Sequence, residues 1–128
     1  MGRPAAKQGD AITGLDVHLI QPPAPSGPFP APHPFNGTLD AGLSPDVTVL
    51  GLAAAVVGST ATNVPHLPAG GSFVVPPSNR ARVAAGSATV FINGKPAARA
   101  GDAALTCNDP ADAPVGTVQA FGTVTIGG

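Results

Sequence analysis

The chain contains no Glu, no Trp and no Tyr, a single cysteine, and few charges of either sign. Each shortage excludes something. One cysteine, Cys107, cannot form an internal disulfide, so no oxidising compartment is implied. Six Lys and Arg stand against seven acids, all Asp, for a net charge of -1. Without a basic cluster or an acidic tail there is no electrostatic reason to expect nucleic acid or an anionic membrane as partner. The longest apolar run, residues 52–57, is far too short to span a bilayer. The segment Met1-Gly2-Arg3-Pro4-Ala5-Ala6 lacks the apolar stretch of a signal peptide. The expectation is a protein made in the cytoplasm which, if exported, leaves by another route. With only five Phe as aromatic residues, a thick core is not expected.

What is abundant is Gly (17) and Pro (16), a share at which disorder must be considered. Yet hydrophobic residues reach 43% and charged ones only 10%, the reverse of a disordered composition. Short Val/Thr/Ile strands joined by many turns fit better. Such a thin body buries little surface to offset chain ordering, and a metal is one staple that supplies the difference.

The chain repeats itself. Residues 2–11, GRPAAKQGDA, return as residues 94–103, GKPAARAGDA, with seven of ten positions identical and two more exchanging Arg with Lys. A weaker copy, Gly51 to Ser59, keeps the glycine spacing but has Ala53 and Ser59 where the others have Pro and Asp. Its turn is expected to differ. The segments before these copies also correspond: Asp46 to Gly51, Thr89 to Gly94, and Thr123 to Gly128 are each β-branched stretches running into Gly. Asn93-Gly94 is a type I′ hairpin signal. The reading is a single all-β domain over 1–128, made of three imperfect hairpin repeats with pseudo-threefold symmetry. Repeat turns lie near 2–10, 51–59 and 94–102. Residues 21–34 and 64–79, dense in proline, are expected to be extended loop inserts, because proline at that density fits neither a helix nor a central strand.

His18, His66 and Cys107 each follow one of the Gly-Asp or Gly-Ser turns, by eight, seven and five residues. Repeat symmetry would gather them near one axis, and three His with one Cys would complete a tetrahedral zinc shell. His33, in Pro32-His33-Pro34, could be delivered to the same point by a rigid loop. The spacings match no local zinc motif. His18 could equally be one polar position of a strand, His33 solvent-exposed, His66 a turn residue and Cys107 a small buried apolar side chain. A zinc hydrolase using Asp16 as base, and a thiol enzyme using Cys107 with a His partner, are rival readings.

Pro96-Ala97-Ala98-Arg99, with Val90 to Lys95 before it and Gly101-Asp102 after it, resembles the PAAR-repeat family. Pro4-Ala5-Ala6-Lys7 with Gly9-Asp10 is a near copy. The resemblance implies a small cone with pseudo-threefold symmetry. Its base docks on a trimeric β-helical spike, one cap per trimer, and its point carries a metal, commonly zinc with iron as the alternative. It also implies His18, His33, His66 and Cys107 as ligands and no catalytic role. The partners implied are the spike, effector cargo and, transiently, a target membrane, in type VI secretion or a related extracellular or phage-tail-like particle. The chain stopping at Gly128 gives the expectation of a bare tip rather than a toxin carrier.

Overall fold

The computed structural model describes residues 2–23, 25–68 and 70–127. Met1, Ala24, Ala69 and Gly128, which fall in the N-terminal segment, the two inserts and the final strand segment read from the sequence, lie outside the described residues. Among the described residues there is no helix. Short strands β1 (Arg3–Pro4), β4 (Thr48–Val49) and β5 (Leu52–Ala53) alternate with the longer β2 (Ala11–Gln21), β3 (Phe29–Ala41) and β6 (Thr60–Asn63). They are followed by β7 (Ser72–Phe73), β8 (Arg80–Val83), β9 (Phe91–Ile92), β10 (Lys95–Pro96), β11 (Ala103–Thr106), β12 (Ala113–Gln119) and β13 (Thr125–Ile126).

Six of these close a barrel. The antiparallel order is β12-β11-β8-β6-β3-β2, and β12 pairs back onto β2 through Gly116 to Gln119. The barrel is three hairpins, β2–β3, β6–β8 and β11–β12, one per repeat. Closure pairs the sheet's two edge strands with each other, which leaves few free edges to invite aggregation. Inward residues follow the period of two that strands impose: Ile12, Asp16, His18 and Ile20 on β2, and Ala31, His33, Phe35 and Leu39 on β3 are all buried. Phe35, Ile12, Leu39, Val83, Val118 and a set of alanines fill the interior.

One end of the barrel is floored by the repeat turns. Ala6 N–H donates to the Ala98 carbonyl (2.9 Å), Ala98 N–H to that of Ala55 (3.0 Å) and Ala55 N–H to that of Ala6 (3.0 Å). This closed ring of three bonds is the pseudo-threefold axis written in the backbone. The three alanines are at most 1% exposed, and a larger side chain has no room where three chains meet. Around the ring sit three small hairpins: β4–β5, β9–β10, and β13 paired with β1, the last assembled from segments distant in sequence. Asn93 (φ 53°) and Gly94 (φ 78°) have the two positive φ values of the type I′ turn expected there, and Leu50 (φ 51°) and Gly51 (φ 82°) repeat them.

The middle copy keeps the same turn despite its altered sequence, which corrects the expectation of a different one. Lys7 N–H is capped by Asp10 Oδ2 (3.0 Å) and Arg99 N–H by Asp102 Oδ2 (2.8 Å). In the middle copy Ser59 Oγ does the same for Val56 N–H (3.0 Å). In the outer copies the basic side chain also pairs with the acid, Lys7 with Asp10 and Arg99 with Asp102. The middle copy has lost both partners together, Val56 for the base and Ser59 for the acid. No charge is stranded, which is the costly outcome when one member of a buried pair goes alone.

The insert at 21–34 is also shorter than read from the sequence. Residues 29–34 belong to β3, paired with β2 from Ile20↔Phe29 to Leu15↔Pro34. Pro30, Pro32 and Pro34 are tolerated because they alternate. They share the parity of Asn36, whose N–H points away from β2 to Asn63 Oδ1 (2.9 Å). The missing N–H groups therefore fall on the side that no strand occupies. Proline is allowed on an edge, and here it blocks one. The insert at 64–79 is mostly irregular but adds β7, which pairs with the outer end of β2.

Candidate metal centre

Strands β2, β6 and β11 each leave a repeat turn and run to the far end of the barrel. His18 lies near the end of β2, and His66 and Cys107 just beyond β6 and β11. The repeat thus delivers three groups to one place, the end opposite the alanine ring. Asp16 precedes His18 by two residues and shares its inward face. His33 lies directly across from Asp16 in the β2–β3 register. A ligand atom from each of Asp16, His18, His66 and Cys107 lies within 4.8 Å of the others.

The imidazole rings of His18, His33 and His66 form a triangle with centroids 5.2 to 5.5 Å apart. Phe73 on β7 covers it, 5.8 Å from His18 and 5.5 Å from His33. Burial is close to complete: Asp16 0%, His18 1%, Cys107 3% and His33 5% exposed. The seam of the barrel beside the cluster is sealed by the loop after β11. Asn108 Oδ1 accepts from Val17 N–H (2.7 Å) and Asp109 Oδ2 from Leu19 N–H (2.8 Å). A cavity of about 200 Å³, walled in part by Pro76, Pro77 and Pro110, reaches His18 and Cys107.

Asp16 is the hub. Oδ1 accepts from the Thr106 hydroxyl. Oδ2 faces His66 Nε2 at 2.8 Å, Cys107 Sγ at 3.3 Å and His18 Nε2 at 3.7 Å. Burial first, and the negative charge and hydrogen bond of Asp16 next, push the Cys107 thiol up to about 11. Nucleophilic cysteines sit where the thiolate is favoured, whereas this environment favours the protonated thiol until a cation binds.

The donors fit a metal on two further observations. His33 Nε2 is buried without a hydrogen-bond partner, while on His18 it is Nε2 that faces the cluster and Nδ1 that lies 3.6 Å from Asp109 Oδ2. His33 Nδ1 lies 3.0 Å from the Ala31 carbonyl, which can only accept. Nδ1 therefore donates to it, which leaves Nε2 as the ring nitrogen open to a metal. A ring fixed by a backbone carbonyl on its other nitrogen is the arrangement that orients metal-ligating histidines. Of the four residues expected to bind metal, the structure groups His18, His66 and Cys107. His33 stacks against them at slightly longer range. From the sequence alone Asp16 reads only as a possible base. The legible signal for it was alternation, since Asp16 and His18 must share a face of one strand.

A family model described as PAAR motif matches the chain twice, over residues 36–111 and 75–128. The chain belongs to the PAAR motif family. The two overlapping matches are what a repeated unit produces, since residues 94–102 lie in both. Among curated proteins no relative matches the chain. The family is a structural one, and its members sit at the tips of the spikes of contractile injection systems. The barrel of three hairpins closed on a threefold ring agrees with that membership.

Proposed function

We propose that this chain caps and sharpens the blunt end of a trimeric β-helical spike, one cap per trimer. The observation that carries this is the alanine ring. A single chain presents three near-equivalent hairpins about one axis, which is how one copy can meet three identical chains at once. The faces around the hairpins are apolar and open: Leu50 (55%), Phe91 (56%) and Phe121 (75%) are exposed. The short strands there also offer unpaired edges for docking onto a β-rich partner.

His18, His33, His66 and Cys107 would hold the metal, zinc by the chemistry of the donors and iron as the alternative. The metal supplies stiffness and folding energy where there is too little chain for a hydrophobic core. Puncture of a membrane agrees with the charge distribution. Segments 17–39 and 60–79, which run to the far end and back, contain no Lys, Arg or Asp. The loop after β11 brings Asp109 and Asp112 to the same end, so the two segments lower the charge dragged through lipid without removing it. Type VI secretion, extracellular particles and phage tails would all employ such a tip, exported with the spike and, in some machines, with effector cargo. Co-purification with the spike trimer of the same apparatus tests the proposal, and failure to bind it counts against the tip reading.

A further inference from the structure

We propose that Asp16 is itself a metal ligand, through Oδ2, in addition to His18, His66 and Cys107, which the repeat delivers, and His33, which β3 places across from Asp16. The inference rests on the metal reading above and goes beyond its ligand set. Asp16 is fully buried, and among the described residues no Lys or Arg pairs with it; its only ion-pair contacts are His18 and His66. Its Oδ2 has two close hydrogen donors, the Cys107 thiol at 3.3 Å and His66 Nε2 at 2.8 Å.

Loading a metal removes both. Cys107 binds as thiolate and has no proton to give. His66 Nε2 binds through its lone pair and can no longer donate. Oδ2 would then be a bare carboxylate oxygen, buried beside a thiolate, which is among the costliest arrangements in a protein. The cation is the one group that can replace the lost donors, and Oδ2 already lies within 3.7 Å of all three flanking donor atoms. Thr106, bonded to Oδ1, holds the carboxylate so that the other oxygen faces the cluster. A divalent cation, one thiolate and the buried Asp16 carboxylate sum to zero, so a cation at this place leaves no net charge behind.

The test uses the full chain loaded with zinc. In its crystal structure, with the metal located by anomalous scattering, Asp16 Oδ2 should stand about 2.0–2.2 Å from the ion. A separation beyond about 3 Å overturns the inference. In solution, Asp16→Asn should weaken zinc binding at least about tenfold in competition with a chromophoric chelator. It should also change the visible bands of the cobalt-substituted protein while the thiolate-to-metal band remains. Unchanged affinity with unchanged bands overturns the proposal. If the variant does not fold, the wild-type distance decides alone. A wild-type chain that takes up no zinc, iron or cobalt refutes the parent metal reading instead, and this inference with it.

Discussion

Leu50 occupies a backbone conformation that leucine disfavours. Its φ of 51° is left-handed, and its equivalent in the next repeat is Asn93, a residue that tolerates that region. The side chain is 55% exposed, so burial within the monomer does not explain it. A bulky apolar residue held in strain at the surface of the hairpin end is what a docking contact looks like. Leu50→Asn should therefore move two quantities in opposite directions. Relief of the left-handed penalty should stabilise the isolated chain by about 1 kcal/mol, roughly 4 °C in Tm. Loss of an apolar side chain buried against the spike should cost about 1.5–3 kcal/mol, a 10- to 100-fold rise in Kd. Urea denaturation measures the first, and titration calorimetry or biolayer interferometry with the spike measures the second. A variant that is less stable than wild type would refute the strain argument, and unchanged spike affinity would refute the docking argument.

Two further predictions concern charge. Asp102→Ser alone leaves Arg99, 6% exposed, without its partner, and should cost about 3–5 kcal/mol in urea denaturation. The double change Arg99→Val with Asp102→Ser copies the middle repeat and should cost only about 1 kcal/mol; a double variant no better than the single would contradict the account of how that repeat lost its charges. The thiol of metal-free Cys107 is raised from 9.0 to about 11, so the folded chain favours its protonated form. The stabilisation is complete below pH 9 and lost as pH rises towards 11, about 3 kcal/mol in all. Chelated wild type measured against Cys107→Ser should show that loss, and parallel pH profiles would contradict it.

Much of the fold was legible because its symmetry is local. The repeat of 2–11 at 94–103 marks two corners of the alanine ring, and the β-branched segments before Gly mark the hairpins around it. The middle corner was harder to read, because Ser59 replaces the capping function of Asp while changing the letter. Proline density misled at 29–34, where alternation mattered more than number: three prolines of one parity can line an open edge. At the site, His18, His66 and Cys107 were readable from their distances to the turns. Asp16 was less so, since its importance comes from Thr106 and His66, which are brought to it only when the barrel closes.

The most direct measurement of the central claim is native mass spectrometry of the chain mixed with its spike. The account predicts one 12.4 kDa chain bound per spike trimer, carrying one metal ion. Three chains per trimer, or a trimer that stays bare at saturating cap, would contradict it.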